Sequence, residues 1–352
     1  MKKILFVASA LTFLACSSTQ TPTNEDANVD QALKYASTIT AKELGTHLFI
    51  YASDEFEGRN TGEPGQKLAV EYLKNFYVTE GIESAIGGDD YFQEVPAEWL
   101  NKNGRSKNLK DSENVVAFIK GTEKPDEIIV LSAHLDHEGI KNGKIYNGAD
   151  DDGSGTVALL EIAQAFHEAS KNGIKPKRSI LFLHVTGEEK GLLGSKYYVE
   201  NPLFPIANHI TNLNIDMIGR VDDRHKDDPN YIYLIGSDKL SMELHNISEA
   251  VNKKYTNINL DYKYNDENDP NRFYYRSDHY NFAKSNIPII FYFNGTHEDY
   301  HKHTDTPDKI NYEMLEARTR LVFHTAWEVA NRESTIYADV LDKKEDKVEG
   351  KK

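Results

Sequence analysis

The feature that most constrains this chain is an alternation. Apolar runs rich in β-branched and aromatic residues stand at 114–121 (NVVAFIKG), 127–136 (EIIVLSAHLD), 178–187 (RSILFLHVTG), 231–237 (YIYLIGS) and 287–295 (IPIIFYFNG). Runs of this length without polar alternation read as strands buried on both faces. Between them lie stretches with helical spacing, the clearest at 156–171 (TVALLEIAQAFHEASK), with others at 66–80, 242–255 and 312–331. Thr40 suits the N-cap of a further helix that opens at Ala41. Strand–helix alternation predicts an α/β fold: a single domain with a mixed, mostly parallel central β-sheet and helices on both faces. A hydrophobic content of 39% over 352 residues is enough for one large core.

The first residues read differently. Lys2 and Lys3 precede the apolar run ILFVASALTFLA, and Cys16 follows Ala15. That order is expected of a lipoprotein-type signal peptide over 1–15, with Cys16 lipidated as the first residue of the mature chain. The run is too short for a transmembrane helix. Residues 16–35 read as a flexible tether, 36–335 as the folded domain and 336–352 as a charged tail. The expected location is the cell envelope, held to a bacterial membrane by the lipid, or outside the cell without it. Cys16 is the only cysteine. Disulfides, a thiol nucleophile and cysteine-bound zinc are therefore excluded from the mature domain. A net charge of −15 repels phosphate backbones, so a nucleic-acid partner is not expected. Membrane contact should come through the anchor alone.

Open α/β sheets bind ligands beyond the carboxyl ends of their strands. Here those ends carry His134-Leu135-Asp136, Glu188-Glu189, Asp216 and the stretch HEDYHKHTDTPDKI at 297–310. The triple aspartate Asp150-Asp151-Asp152 opens the helix at 156. One such residue means little, but several strand ends each delivering His, Asp or Glu ask for a common cause. Imidazole and carboxylate suit Zn²⁺, Co²⁺ or Mn²⁺. Without cations, several packed carboxylates would have to hold protons. Glu188 and Glu189 are adjacent and cannot point the same way in a regular element. One can serve a metal while the other faces a substrate water.

HLD, GADDDGSG, TGEEKGLLGS, NIDMIGR and YH followed by DTPDKI, in this order and at these separations, resemble the co-catalytic di-zinc aminopeptidase family, whose relatives include glutamate carboxypeptidases and glutaminyl cyclases. ASDEFEGRNTGEPGQKLAVEYL (52–73) is similar to the family's N-terminal region. The resemblance implies a zinc-exopeptidase-like fold and two Zn²⁺ per chain, with Co²⁺ or Mn²⁺ as substitutes. It implies that His134, Asp151 and Asp216 hold one metal, and that Asp151, Glu189 and His301 hold the other. Glu188 would be the general base for a water bridged by the two zincs, and Tyr300 would stabilise the oxyanion. Asp136 would hydrogen-bond His134 and fix its tautomer. RSDH (276–279) resembles a family segment near the pocket, where Asp278 has two readings: contact with the substrate amine, or, as is commoner for such a residue, a structural hydrogen bond. Peptides are the implied substrates and release of the N-terminal residue the implied reaction.

Other readings weigh less. His297-Glu298-Asp299-Tyr300-His301 fits H-E-x-x-H, but polar neighbours and a position just past a strand argue for a loop and not a zinc-protease helix. His303 is the lesser ligand candidate beside His301. Ser154 in ADDDGSG does not form a nucleophile elbow. Asp150 and Asp152 suit a helix N-terminus without any metal. Trp99 and the tyrosine-rich segment 262–276 are candidates for the pocket wall. A one-zinc glutaminyl cyclase would lose the di-metal character of DDDGSG and tends to carry Trp where this chain has Tyr300. Dipeptidase or carboxypeptidase action within the same family stays open. A non-catalytic envelope binding protein predicts loss of a ligand or of the base, and neither is missing.

Overall fold

The computed structural model describes residues 31–341. The expected signal peptide, Cys16 and most of the tether and tail lie outside the described residues. A nine-stranded sheet forms from β1 (Glu83–Ser84), β2 (Phe92–Val95), β3 (Ser112–Ile119), β4 (Lys124–His134), β5 (Arg178–Val185), β6 (His209–Ile215), β7 (Tyr231–Ile235), β8 (Asn259–Asp261) and β9 (Ile289–Phe293). Its spatial order is β1-β3-β5-β4-β6-β9-β7-β8, with β2 beside β3. The four middle strands, β5-β4-β6-β9, are all parallel, and antiparallel pairs flank them at β3–β5 and β9–β7. The sheet is thus mixed and mostly parallel at its centre, as the alternation predicts.

Register is what makes a site possible. His134 pairs with Val185, Ser132 with Asn214 and Tyr292 with Ile215. Four parallel strands therefore end level with one another, about 4.8 Å apart from strand to strand. The residues just past each strand are brought together at one edge.

Side chains alternate between two faces of the sheet. Ile129, Leu131 and Ala133 of β4 join the larger core with α1 (Ala41–Tyr51), α2 (Pro64–Glu80), α3 (Gly155–Lys171) and α6 (Tyr312–Asn331). Ile128 and Val130 face the other side, where Tyr198 of α4 (Leu193–Glu200) and Phe282 cover them. Thr40 caps α1, its hydroxyl accepting from the Glu43 N–H at 3.2 Å. A further helix, α5 (Met242–Val251), ends earlier than the spacing suggests and gives way to a wide turn through Thr256.

The structure moves both expected domain boundaries outward. Ala32 and Tyr35, read as tether, are fully buried, and Tyr35 stacks on Trp327 at 6.0 Å. Ile336, read as tail, is 3% exposed. Arg178 reaches across to hold that end, donating to the carbonyls of Val329 at 2.9 Å and Ser334 at 3.0 Å. A few apolar residues inside polar flanks carry no periodicity, which is why they do not read as core.

Glu161 of α3 is 1% exposed, and no side chain hydrogen-bonds its carboxylate. Its nearest ionisable partner is His47 of α1, at 3.6 Å. Burial, reinforced by Glu43 and Glu80, pushes Glu161 up to about 8. The folded chain therefore keeps a proton that the unfolded chain releases near its ordinary value of 4.5, so stability falls as pH rises from about 4.5 to 8. Glu161→Gln is expected to flatten that decline. In thermal melts the variant and the parent should agree near the lower limit. Near the upper limit the variant should melt higher by at least about 3 °C; parallel profiles would refute this.

Candidate metal centre

The loop 148–155 is built to present one aspartate. Its neighbours are occupied by structure. Asp152 Oδ1 accepts from Gly155 N at 2.9 Å and Met217 N at 3.0 Å, and its Oδ2 accepts from His134 N at 3.1 Å. Asp150 Oδ1 accepts from Gly219 N at 2.7 Å and Ser154 Oγ at 3.0 Å, while Oδ2 lies 3.1 Å from His297 Nε2. Asp305 Oδ2 accepts from the N–H groups of Asp150 and Asp151 at 3.0 and 3.2 Å. The Asp151–Asp152 peptide is cis. Asp151, set between these clamps, has both oxygens turned into the cleft. Oδ1 is 3.0 Å from His134 Nε2 and Oδ2 is 3.1 Å from His301 Nε2.

That one side chain organises two groups of donors. On the first side His134 Nε2 also lies 3.7 Å from Asp216 Oδ1. On the second, His301 Nε2 lies 3.5 Å from Glu189 Oε2. Asp152 is also near enough to His134 and Asp216 to join the first group. Its two oxygens already accept three backbone N–H groups, so Asp151 is the freer donor. Glu138 lies near Glu189 and His301, but its carboxylate is paired with Lys141 and, at 3.8 Å, with Lys190.

The donor set fits a cation by its chemistry. His134 is buried, and its Nδ1 donates to the Asp136 carbonyl at 2.9 Å. That fixes the proton on Nδ1 and turns Nε2 toward the carboxylates with no hydrogen-bond partner. Burial alone would lower His134, but the Asp216 and Asp151 carboxylates hold it well above the usual imidazole range. Burial would raise Asp151, yet the imidazoles of His134, His137 and His301 hold it well below the usual carboxylate range. The chain has gathered groups that need positive charge among them.

The structure corrects one expectation and decides between two readings of another residue. The Asp136 carboxylate does not hold His134: it is 3.8 Å from Nδ1 and is engaged by Thr61 Oγ1 at 2.7 Å and Glu188 N at 3.0 Å. The backbone carbonyl does the tautomer fixing, and the side chain positions Glu188. Asp278 is fully buried, and its Oδ1 accepts from the Ser195 hydroxyl. It cannot meet a substrate amine there. Its neighbour Ser277 instead donates to Asp216 Oδ2 at 2.6 Å.

Glu188, Glu189, Tyr300 and His301 line the same cleft as Asp151 and Asp216. Burial and the neighbouring Glu189 and Asp216 carboxylates outweigh His134 and push Glu188 well above its ordinary value. Tyr300 stacks on His301 at 3.9 Å and accepts from Arg276 Nη2 at 3.1 Å, which leaves its own O–H free to donate into the cleft. The segment 297–301 is non-helical, and His301 has φ 55°. His303 faces away, 2.9 Å from Lys144 Nζ. Of the tyrosine-rich segment, Phe273, Tyr275 and Arg276 reach the wall, whereas Trp99 packs on Tyr197 elsewhere.

Arg59 and His137 carry no signal of their own in the sequence reading, and His297 enters it only as half of the H-E-x-x-H pattern. Arg59 is fully buried and ties its own segment to two loops, donating to Leu135 O at 3.1 Å, Asn147 O at 2.7 Å and Gly148 O at 2.9 Å. Only the family-like stretch 52–73 around it hints at a role.

The profile of Peptidase family M28 matches residues 114–326, more than half of the chain. Leupeptin-inactivating enzyme 1 of Streptomyces exfoliatus is 28% identical over 304 residues, which cover 85% of this chain and 56% of that protein. The chain thus spans about half the length of that relative. Among solved structures, the LapA aminopeptidase of Legionella pneumophila superposes with a TM-score of 0.66 at 20% identity, over 87% of this chain and 76% of that one. BSAP, a zinc aminopeptidase from Bacillus subtilis, gives 0.63 at 16% identity, over 84% and 96%. At these identities the superpositions show the fold.

Proposed function

Because the chain belongs to Peptidase family M28, we propose that it is a two-zinc aminopeptidase that removes an apolar residue from the N-terminus of peptides. The observation that carries this reading is Asp151, whose two oxygens face two separate imidazoles at 3.0 and 3.1 Å. One zinc would be held by His134, Asp151 and Asp216, the other by Asp151, Glu189 and His301. Bound there, the pair would supply the positive charge that acidifies a water and polarises a carbonyl. Glu188 takes the proton of the attacking water and passes it to the departing amine. The Tyr300 hydroxyl, held protonated by burial and the Asp151 carboxylate, donates to the oxygen that becomes anionic. Phe273, Phe291, Phe293, Met217 and Leu192 wall the same cleft, which supports an apolar residue beside the cut.

A panel of aminoacyl-nitroanilides, with and without chelator, tests the proposal. Leucyl and phenylalanyl substrates should be cleaved at least about ten times faster than glutamyl or lysyl ones, since one pocket mismatch is worth about 1–3 kcal/mol. Chelator should abolish turnover and zinc restore it. A dialysed chain with neither bound metal nor amidase activity would favour a binding protein, and cleavage confined to free dipeptides would favour a dipeptidase.

The proposal extends to export, on the strength of Lys2, Lys3, the apolar run and Cys16. A Cys16→Ser chain should keep its activity and leave the membrane fraction; unchanged fractionation would remove the anchor.

A further inference from the structure

His137 stands three residues after His134 and has no solvent exposure. Its backbone is held by the strand-like bridge to Asn60, with its N–H donating to Arg59 O at 3.2 Å. Its ring packs against Gly148, where an added Cβ would stand 2.4 Å from the imidazole Cγ. The ring is thus locked in place. Yet neither ring nitrogen has a hydrogen-bond partner. Native proteins seldom bury a polar group in that state unless a bound water or ion satisfies it.

The surroundings say which. His137 Nδ1 lies 2.9 Å from Glu189 Oε1 and 3.9 Å from Asp151 Oδ2. Glu189 Oε1 is itself buried without a hydrogen bond. His297 Nε2 is also unpartnered, but among the described residues only the Asp150 carboxylate lies within 4.0 Å of it, with Asp305 acting from farther off. His137 instead meets oxygens from two residues, and the three donor atoms lie within 4.8 Å of one another. His134 repeats the arrangement on the other side of Asp151, with Asp216 as its second carboxylate.

We propose that His137 Nδ1 is a direct donor to the second cation, beside Asp151, Glu189 and His301; this rests on the two-cation reading. The second site then has two imidazoles where the first has one. A nitrogen-richer site favours zinc over manganese, and its cation should be the last to leave under a chelator. The first cation keeps more open positions for substrate.

The test is to load the full chain, carrying ¹⁵N-labelled histidine, with ¹¹³Cd²⁺ and count one-bond cadmium–nitrogen couplings. Two cadmium resonances are expected, one split by a single nitrogen and one by two. His137→Ala should remove one coupling from the second resonance, leave the first unchanged, and weaken the second cation at least about ten-fold in chelator competition. Two resonances each split by one nitrogen in the unmutated chain would overturn the assignment. That count also decides the matter if His137→Ala does not fold. A chain that binds a single cadmium would instead overturn the two-cation reading, and this inference with it.

Discussion

Glu188→Gln should lower kcat by on the order of 10²–10⁴-fold while leaving two cations bound. The amide keeps the size and shape of the carboxylate but cannot take a proton. The backbone at this position is held independently, because the Glu188 N–H donates to Asp136 Oδ1 at 3.0 Å. The variant should therefore fold and bind substrate, so the loss should appear in kcat with little change in KM. The side chain sits among Glu189, Asp216 and Asp278, and burial with these neighbours holds it well above the ordinary carboxylate value. A base must be ionised to act, so kcat/KM should fall on the acid side as Glu188 takes up its proton. The raised value moves that acid limb upward, and bound cations oppose the shift. Elemental analysis beside steady-state kinetics checks the prediction. Loss of metal from Glu188→Gln, with retention in Glu189→Gln, would mean that the two neighbours exchange roles.

Asp151→Asn should cost at least as much activity, by a different route: both cations are expected to leave. Each Asp151 oxygen faces its own imidazole, and one substitution removes charge from both sides. Asp152→Asn provides the contrast. Its carboxylate accepts from His134 N, Gly155 N and Met217 N, so an amide there turns a donor toward backbone donors. That should appear first as a lower melting temperature, each bond lost costing about 1–3 kcal/mol of stability. Metal content after gel filtration, set beside the melts, separates the two. Full metal in Asp151→Asn with loss in Asp152→Asn would move the bridge by one residue.

The strands and the residues just past them are legible because β4, β5, β6 and β9 are buried on both faces. Such strands read as unbroken apolar runs, and the parallel arrangement sends their ends to one edge. His134, Asp151, Glu188, Glu189, Asp216 and His301 can thus be singled out together. Which atom of a residue does the work is not legible. Asp136 is expected to act on His134 through its carboxylate and acts through its carbonyl, since the sequence does not encode a rotamer. Asp278 reads as a substrate contact or a structural residue by type alone, and folding settles it by walling it in with Ser195 and its neighbours. His137 and Arg59 carry no periodic signal, and their importance comes from what surrounds them after folding. Ala32 and Tyr35 look like linker residues until Trp327, almost three hundred positions away, stacks on one of them.

The groups proposed to hold the cations come from the ends of separate strands and from a loop as late as His301. Cations bound there would fasten distant parts of the chain to one another, much as rivets hold plates. The chain stripped of them should unravel at lower temperature, by a margin that grows with the logarithm of free ion over its dissociation constant. Scarcity of zinc around the protein would then shorten its lifetime as well as silence it.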